Sequence, residues 1–245
     1  MIAAILIGRK GSSGYPGKNT TPIAGYPMMW WPLQAAVETS EIDRIYVSTD
    51  DQGIASIAGD MGAYLIDRPA YLADNAALGE DAYVHAHQII SAELNEIGET
   101  VELYVLLMAN AVTISADQLS EGIGVLRDRP KLNSAVTVSC YNMWSPLRAR
   151  KINEDGLLQP FVPFETFGDP ATLNCDRDSQ GDVWFADMGV SIVRPRNLDY
   201  LETGLLTQKW MGQAIYPIKN VGGLDVDYRY QRPQAQWWLE EHLAT

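Results

Sequence analysis

The 245-residue chain carries 18 Lys and Arg against 31 Asp and Glu, a formal net charge of -13, and 47% of its residues are hydrophobic. A balance this acidic argues against nucleic acid or an anionic membrane as a general partner, because either needs a broad basic face. The hydrophobic share excludes a disordered chain, and the length suits one sizeable core with at most a small appended subdomain.

Cys140 and Cys175 are the two cysteines. They lack Cys-x2-Cys spacing and an evident base, which predicts buried small apolar residues in a reducing compartment. No apolar run approaches the roughly 20 residues of a membrane span, and the opening Met1-Ile-Ala-Ala-Ile lacks a basic signal-peptide region. The expected location is cytoplasmic.

In chain order, Ala3 to Ile7 reads as a buried strand followed by a basic, glycine-rich loop. Pro27 is expected to start a helix running to Val37, with Pro32 near its beginning. Arg44 to Ser48 reads as a second strand, and 51 to 61 as a helix capped by Asp50 or Asp51. A short strand at 63 to 66, a helix from Asp81 to Leu94, a strand from Glu102 to Met108, a helix from Asp117 to Leu126 and a strand from Ser134 to Cys140 follow. This alternation is that of a doubly wound, mostly parallel α/β sheet. From Tyr141 to about Phe185 it breaks into prolines and polar turns, the pattern of an insertion. Strands at Gly189 to Val193 and Ala214 to Pro217 (the latter at an edge), and a helix from Pro233 to Leu243, close the chain.

Two segments carry chemistry. In Arg9-Lys-Gly-Ser12-Ser-Gly14-Tyr-Pro-Gly17-Lys18-Asn19, three of the chain's 18 basic residues fall within ten positions, among glycines that let backbone N–H groups approach an anion. The loop directly follows the first strand, and open α/β sheets bind ligands beyond the carboxyl ends of their strands. Its spacing is neither that of a P-loop nor that of the Gly-x-Gly-x2-Gly dinucleotide fingerprint. Near the other end stands Gly223-Leu-Asp225-Val-Asp227. In an extended segment, residues two apart share a face, so both carboxylates can meet one hard cation while Leu224 and Val226 pack inward. The three histidines, His85, His87 and His242, have no metal-ligand spacing and are read as structural.

With these two segments, Val47-Ser-Thr-Asp50-Asp51, Arg68-Pro-Ala-Tyr-Leu-Ala-Asp74 and His85-Ala86, the chain resembles the CMP-sugar synthetases, the cytidylyltransferases that activate neuraminic, pseudaminic, legionaminic and 3-deoxy-octulosonic acids. The resemblance implies a three-layer Rossmann-like α/β nucleotidyltransferase over residues 1–245, with 141–186 as an inserted dimerisation element of a homodimer. It implies transfer of CMP from CTP to an acidic 2-keto sugar with release of pyrophosphate. Gly8, Arg9, Ser12, Lys18, Asn19, Asp50 and Arg68 would bind the nucleotide, Asp225 and Asp227 would hold Mg²⁺, and Arg9, Lys18 and Asp227 would be catalytic. Asn110 and Asp187 would face the acceptor. One departure bears on the substrate. Where the sialate branch has Leu-Gln-Pro-Thr-Ser-Pro, this chain has Leu107-Met108-Ala109-Asn110-Ala111-Val112, nearer to the Ala-Thr-Ala-Pro of the pseudaminate branch. A Met cannot make the hydrogen bonds of a Gln amide. Cytidylylation of another small acid, such as a phosphonate, and nucleotide binding without transfer are the alternatives.

Overall fold

The computed structural model describes residues 1–11, 14–74 and 76–243. Among them, a seven-stranded sheet is built from β1 (Ile2–Ile7), β4 (Arg44–Thr49), β5 (Tyr64–Asp67), β6 (Leu103–Met108), β7 (Ser134–Cys140), β10 (Trp184–Val193) and β11 (Ile215–Asn220). Their order is β11-β7-β10-β6-β1-β4-β5. β10 runs antiparallel to both its neighbours, and every other pairing is parallel. The expected α/β sheet is therefore present. Two-residue strands β2 (Pro22–Ile23) and β3 (Tyr26–Pro27), and the short pair β8 (Arg150–Ile152) and β9 (Leu158–Pro160), lie outside it.

Both faces of β1 are covered, which explains its unbroken apolar sequence. Ile2, Ala4 and Leu6 pack with Leu33 of α1 (Trp30–Glu38), Ile54 of α2 (Gln52–Asp60) and Leu119 and Ile123 of α4 (Ala116–Asp128). Ala3 and Ile5 pack on the opposite face with Tyr83, Ala86 and Ile90 of α3 (Gly79–Glu96) and Leu198 of α5 (Pro195–Asp199). Burial of each Leu or Ile here contributes about 1.5–3 kcal/mol before the entropy of ordering it. No helix among the described residues is long and apolar enough to cross a membrane.

Several expectations are corrected in detail. Pro27 does not start a helix. Ala24 and Gly25 both adopt positive φ (47° and 90°), and the two-residue turn they form pairs Pro27 with Pro22, so α1 begins only at Trp30. The cap of α2 is Asp51, whose Oδ1 accepts from the N–H groups of Gly53 and Ile54. Pairing of β10 begins at Trp184 rather than 189, so Trp184, Phe185 and Ala186 already face Cys140, Ser139 and Val138. The irregular segment thus ends near 183. It consists of short 3₁₀ turns and the β8–β9 hairpin, and it displays Trp144, Ile152, Leu158, Phe161 and Phe167 to solvent. Cys140 and Cys175 are both exposed thiols, not core residues. Each sits at or within this segment, where little covers it.

The chain runs from β1 to β4 and β5 on one side, then returns to β6 on the other. That reversal opens a crevice at the carboxyl ends of β1 and β6, the place where open α/β sheets take ligands.

Candidate active site

A cavity of about 350 Å³ occupies this crevice, within the usual range for small-molecule sites. Its lining joins Ile7, Gly8, Arg9, Lys18 and Asn19 from the loop after β1, Arg68 and Leu72 after β5, Ala77 to Gly79 at the start of α3, Met108 and Asn110 after β6, and Asp225, Asp227 and Tyr228 before α6 (Arg232–His242).

The basic loop and the acidic segment, some 200 residues apart in sequence, meet here. Lys18 Nζ donates to Asp227 Oδ1 at 2.5 Å, with the lysine side chain only 10% exposed and the aspartate 53%. They meet because a small apolar cluster ties their flanks together: Tyr15 of the loop and Val226 of the acidic segment pack with Ile23, Met28, Ala235, Trp238 and Leu239. Leu224 packs against the same cluster, so alternate residues of the segment turn inward, as the Asp-x-Asp spacing requires. Gly14 permits the final approach, since a Cβ there would lie 2.7 Å from the carbonyl oxygen of Asp227.

Asp225 and Asp227 converge on Asn110, whose Nδ2 lies 3.4 Å from Asp225 Oδ2 and 3.4 Å from Asp227 Oδ1 while donating to the carbonyl of Val226 at 3.2 Å. Burial, and then the charge of Asp227, raise the Asp225 carboxyl above the ordinary carboxylate value, with Lys18 pulling it back. A half-buried pair of like charges is the arrangement a hard divalent cation relieves.

The cationic wall is equally specific. Arg68 is buried (6% exposed) and donates from Nε and Nη2 to the hydroxyl and carbonyl of Ser48. It makes no ion pair with a carboxylate among the described residues, and burial pulls its proton affinity below that of an ordinary guanidinium, while Asp50 acts in the opposite sense. Arg9, which lines the cavity, is held by donating from Nη1 to the carbonyls of Ala73 and Asp74. Asn19 is buried, and its Oδ1 has no hydrogen-bond partner among the described residues. An orphaned acceptor of this kind fits a ligand donor.

Of the predicted site residues, Gly8, Arg9, Lys18, Asn19, Arg68, Asn110, Asp225 and Asp227 line the one cavity, and Ser12 lies outside the described residues. Two are elsewhere. Asp50 is exposed and accepts from the backbone N–H of Lys10 at 2.7 Å, so it braces the loop from outside the cavity. Asp187 is buried (5% exposed) among Ser139, Asn220 and Gly189 N–H, and does not reach the cavity. Tyr228, Ala77, Leu78 and Gly79 were missed. Their signal is weak, since an exposed tyrosine and a helix's first residues look alike wherever they fall.

Residues 3–97, which contain most of β1, the basic loop and Arg68, match the family model described as Cytidylyltransferase. Through this segment, which is less than half of the chain, the protein is similar to cytidylyltransferases. Over short stretches it is also similar to cytidylyltransferases whose names specify acidic sugars. Over 62 residues it is 44% identical to N-acylneuraminate cytidylyltransferase of Oncorhynchus mykiss, covering 25% of this chain and 14% of that protein. Over 84 residues it is 32% identical to 3-deoxy-manno-octulosonate cytidylyltransferase of Synechococcus elongatus, covering 34% of each. The chain thus spans about a third or less of the length of these curated relatives. Its fold follows that of CMP:2-keto-3-deoxy-manno-octonic acid synthetase, solved in complex with CTP, with a TM-score of 0.68 at 17% identity over 99% of both chains. The 4-diphosphocytidyl-2C-methyl-D-erythritol synthase of Anaerococcus prevotii shares the fold at a TM-score of 0.59 and 13% identity, over 98% of this chain and 96% of that one.

Proposed function

We propose that the protein is an enzyme that transfers CMP from CTP to an acidic sugar and releases pyrophosphate. The observation that carries this reading is the contact of Lys18 with Asp227, which brings the phosphate-type loop and the carboxylate pair to one cavity. Arg9, Lys18 and Arg68 oppose Asp225 and Asp227 there, leaving a small positive excess. A triphosphate brings more negative charge than that excess balances, so a divalent cation completes the site. The donor set fits Mg²⁺, with two carboxylates on one side and room for phosphate oxygens on the other. When bound, the ion supplies charge neutralisation for the phosphates.

The chain's own groups do the rest. Arg9 and Lys18 hold phosphate oxygens and stabilise charge gathering on the leaving pyrophosphate. Arg68, which lacks a carboxylate partner, offers its remaining donors to the nucleotide, and the unpartnered Oδ1 of Asn19 accepts from it. Asn110 keeps both carboxylates in register. The acceptor hydroxyl then displaces pyrophosphate at the α-phosphorus in line, without a covalent enzyme intermediate.

The acceptor falls nearer to pseudaminate than to neuraminate. Met108 lines the cavity at the end of β6 with a thioether in place of an amide. The exposed aromatic and aliphatic side chains of 141–183 support a second copy of the chain as partner.

The test is pyrophosphate release from CTP and Mg²⁺ over a panel comprising a pseudaminic-type, a neuraminic-type and an octulosonic acid and a small phosphonate. Release with an acidic sugar, lost about 100-fold or more in Lys18→Ala, is the expected result. Tight CTP binding without release on any acceptor overturns it in favour of a binding protein. Release on the phosphonate alone replaces the acceptor.

A further inference from the structure

The segment bearing Asp225 and Asp227 belongs to no strand or helix, yet many of its backbone groups are paired, and their partners come from distant parts of the chain. Leu224 N–H donates to Thr113 Oγ1 at 2.9 Å, and the same hydroxyl donates to the Leu224 carbonyl at 3.2 Å. Val226 N–H donates to the Asn110 carbonyl at 2.9 Å, and Asp227 N–H to Gln231 Oε1 at 2.8 Å. At the start of the segment, Gly223 N–H donates to Ser139 Oγ at 3.0 Å, and its carbonyl accepts from Tyr141 at 2.8 Å.

Behind Gly223 stands Asp187. Its Oδ2 accepts from Ser139 Oγ at 2.8 Å and Asn220 Nδ2 at 3.0 Å, and its Oδ1 from Gly189 N–H at 3.1 Å. No cation pairs with it among the described residues. Asn220 in turn donates to the Thr113 carbonyl at 3.0 Å and accepts from Trp238 Nε1 at 3.2 Å. The approach to Gly223 is so close that a Cβ there would lie 2.2 Å from Asp187 Oδ2 and 2.4 Å from Asn220 Nδ2.

The strand has been deformed to achieve this. The register of β10 against β7 shifts between Ala186 and Ser191, and Met188 takes a left-handed φ of 61°, which is unfavourable for a side chain of its kind. Bulges of this sort re-aim a side chain next to a functional site. A buried carboxyl group and a strained backbone converge on one contact, and the contact is with the root of the segment that carries Asp225 and Asp227.

We propose that Asp187 is a positioning residue: through Ser139 and Asn220 it seats Gly223, and thereby holds Asp225 and Asp227 at the spacing one divalent cation requires. This rests on the reading of that pair as a metal site and adds to it a residue that never touches the ion or the substrate. The acidic pair hangs from the Asp187 network at one end and from Gln231 at the other.

Mn²⁺ serves as the probe, titrated into the protein with and without CTP and followed by electron paramagnetic resonance, beside the Mg²⁺ dependence of turnover. Asp187→Asn nearly preserves shape but turns one acceptor into a donor facing Ser139 and Asn220. The expected result is Mn²⁺ affinity about tenfold weaker, a matching rise in half-activating Mg²⁺, and turnover near wild type at saturating Mg²⁺. Amide exchange at Gly223 and Leu224 in the metal-free variant should accelerate while that of β1 and β6 stays slow, which separates the effect from loss of folding. Ser139→Ala, which removes one donor and keeps the carboxylate, should fall between. Unchanged Mn²⁺ affinity in folded Asp187→Asn overturns the proposal while leaving the metal site standing. Wild-type protein that binds no Mn²⁺ with or without CTP overturns the underlying reading, and the inference with it.

Discussion

Asp225 is where a single residue's environment becomes measurable. Burial and the neighbouring Asp227 raise its carboxyl above the ordinary value. A carboxyl that holds its proton more tightly in the folded chain than in the unfolded one contributes stability fully present below the ordinary carboxylate value, and that contribution is lost as pH rises through the raised value. In metal-free protein this part of the melting temperature should therefore decline over the acid-to-neutral window, and Asp225→Asn should remove the decline and raise the melting temperature near neutrality. A divalent ion bound by the proposed pair would have to displace the same proton. Stabilisation by MgCl₂ should thus grow with pH through that window in wild type and vanish in Asp225→Asn. Thermal melts across pH with and without MgCl₂ check both. A melting curve for Asp225→Asn that parallels wild type at every pH would remove the burial argument.

Among the elements, α4 contains two glycines of opposite expected effect. Gly122 faces the sheet, and a Cβ there would lie 2.5 Å from Ile192 Cδ1 and 2.7 Å from Ile218 Cδ1, whereas Gly124 is exposed with nothing near. Alanine improves helix propensity by about 0.8–1 kcal/mol at either position, but overpacking costs about 1–3 kcal/mol. Packing wins at Gly122, so Gly122→Ala should lose up to about 2 kcal/mol, while Gly124→Ala should gain up to about 1 kcal/mol. Urea denaturation of the two variants decides the signs.

The same contrast explains what the sequence made legible. The helices and the parallel core announced themselves through local periodicity. So did the site's two halves, because three basic residues in an acidic chain and an Asp-x-Asp pair stand out within ten positions. That Asp187 lies outside the cavity is not legible locally, because its partners Ser139 and Asn220 lie 48 and 33 residues away and no local pattern records a bulge. At Pro27 the hairpin turn made by two positive-φ residues before it outranks the proline's preference for a helix start. The exposed cysteines likewise follow from a segment with little core of its own.

At the scale of the whole molecule, the apolar surface is unevenly spread. Ile152 is 73% exposed, Leu158 72%, Trp144 67%, Phe167 66% and Phe161 60%, all within the 141–183 segment, while the sheet's own apolar residues are largely enclosed. A two-stranded hairpin is marginal alone in water, and β8–β9 pairs only with itself. Ile152 and Leu158 are register partners on that hairpin, so they stand side by side on one face. A second copy would offer a matching apolar surface through a closed two-fold contact, which would bury the hairpin's exposed face. The expected species in sedimentation is a dimer, and a monomer when both residues are changed to Glu, since each charge would have to be desolvated at the contact. Because neither side chain belongs to the sheet core, the sheet's amide protection should survive the double change, leaving association as the property that moves. A wild-type monomer at every concentration, or an Ile152→Glu/Leu158→Glu protein that still dimerises, would place the partner surface elsewhere.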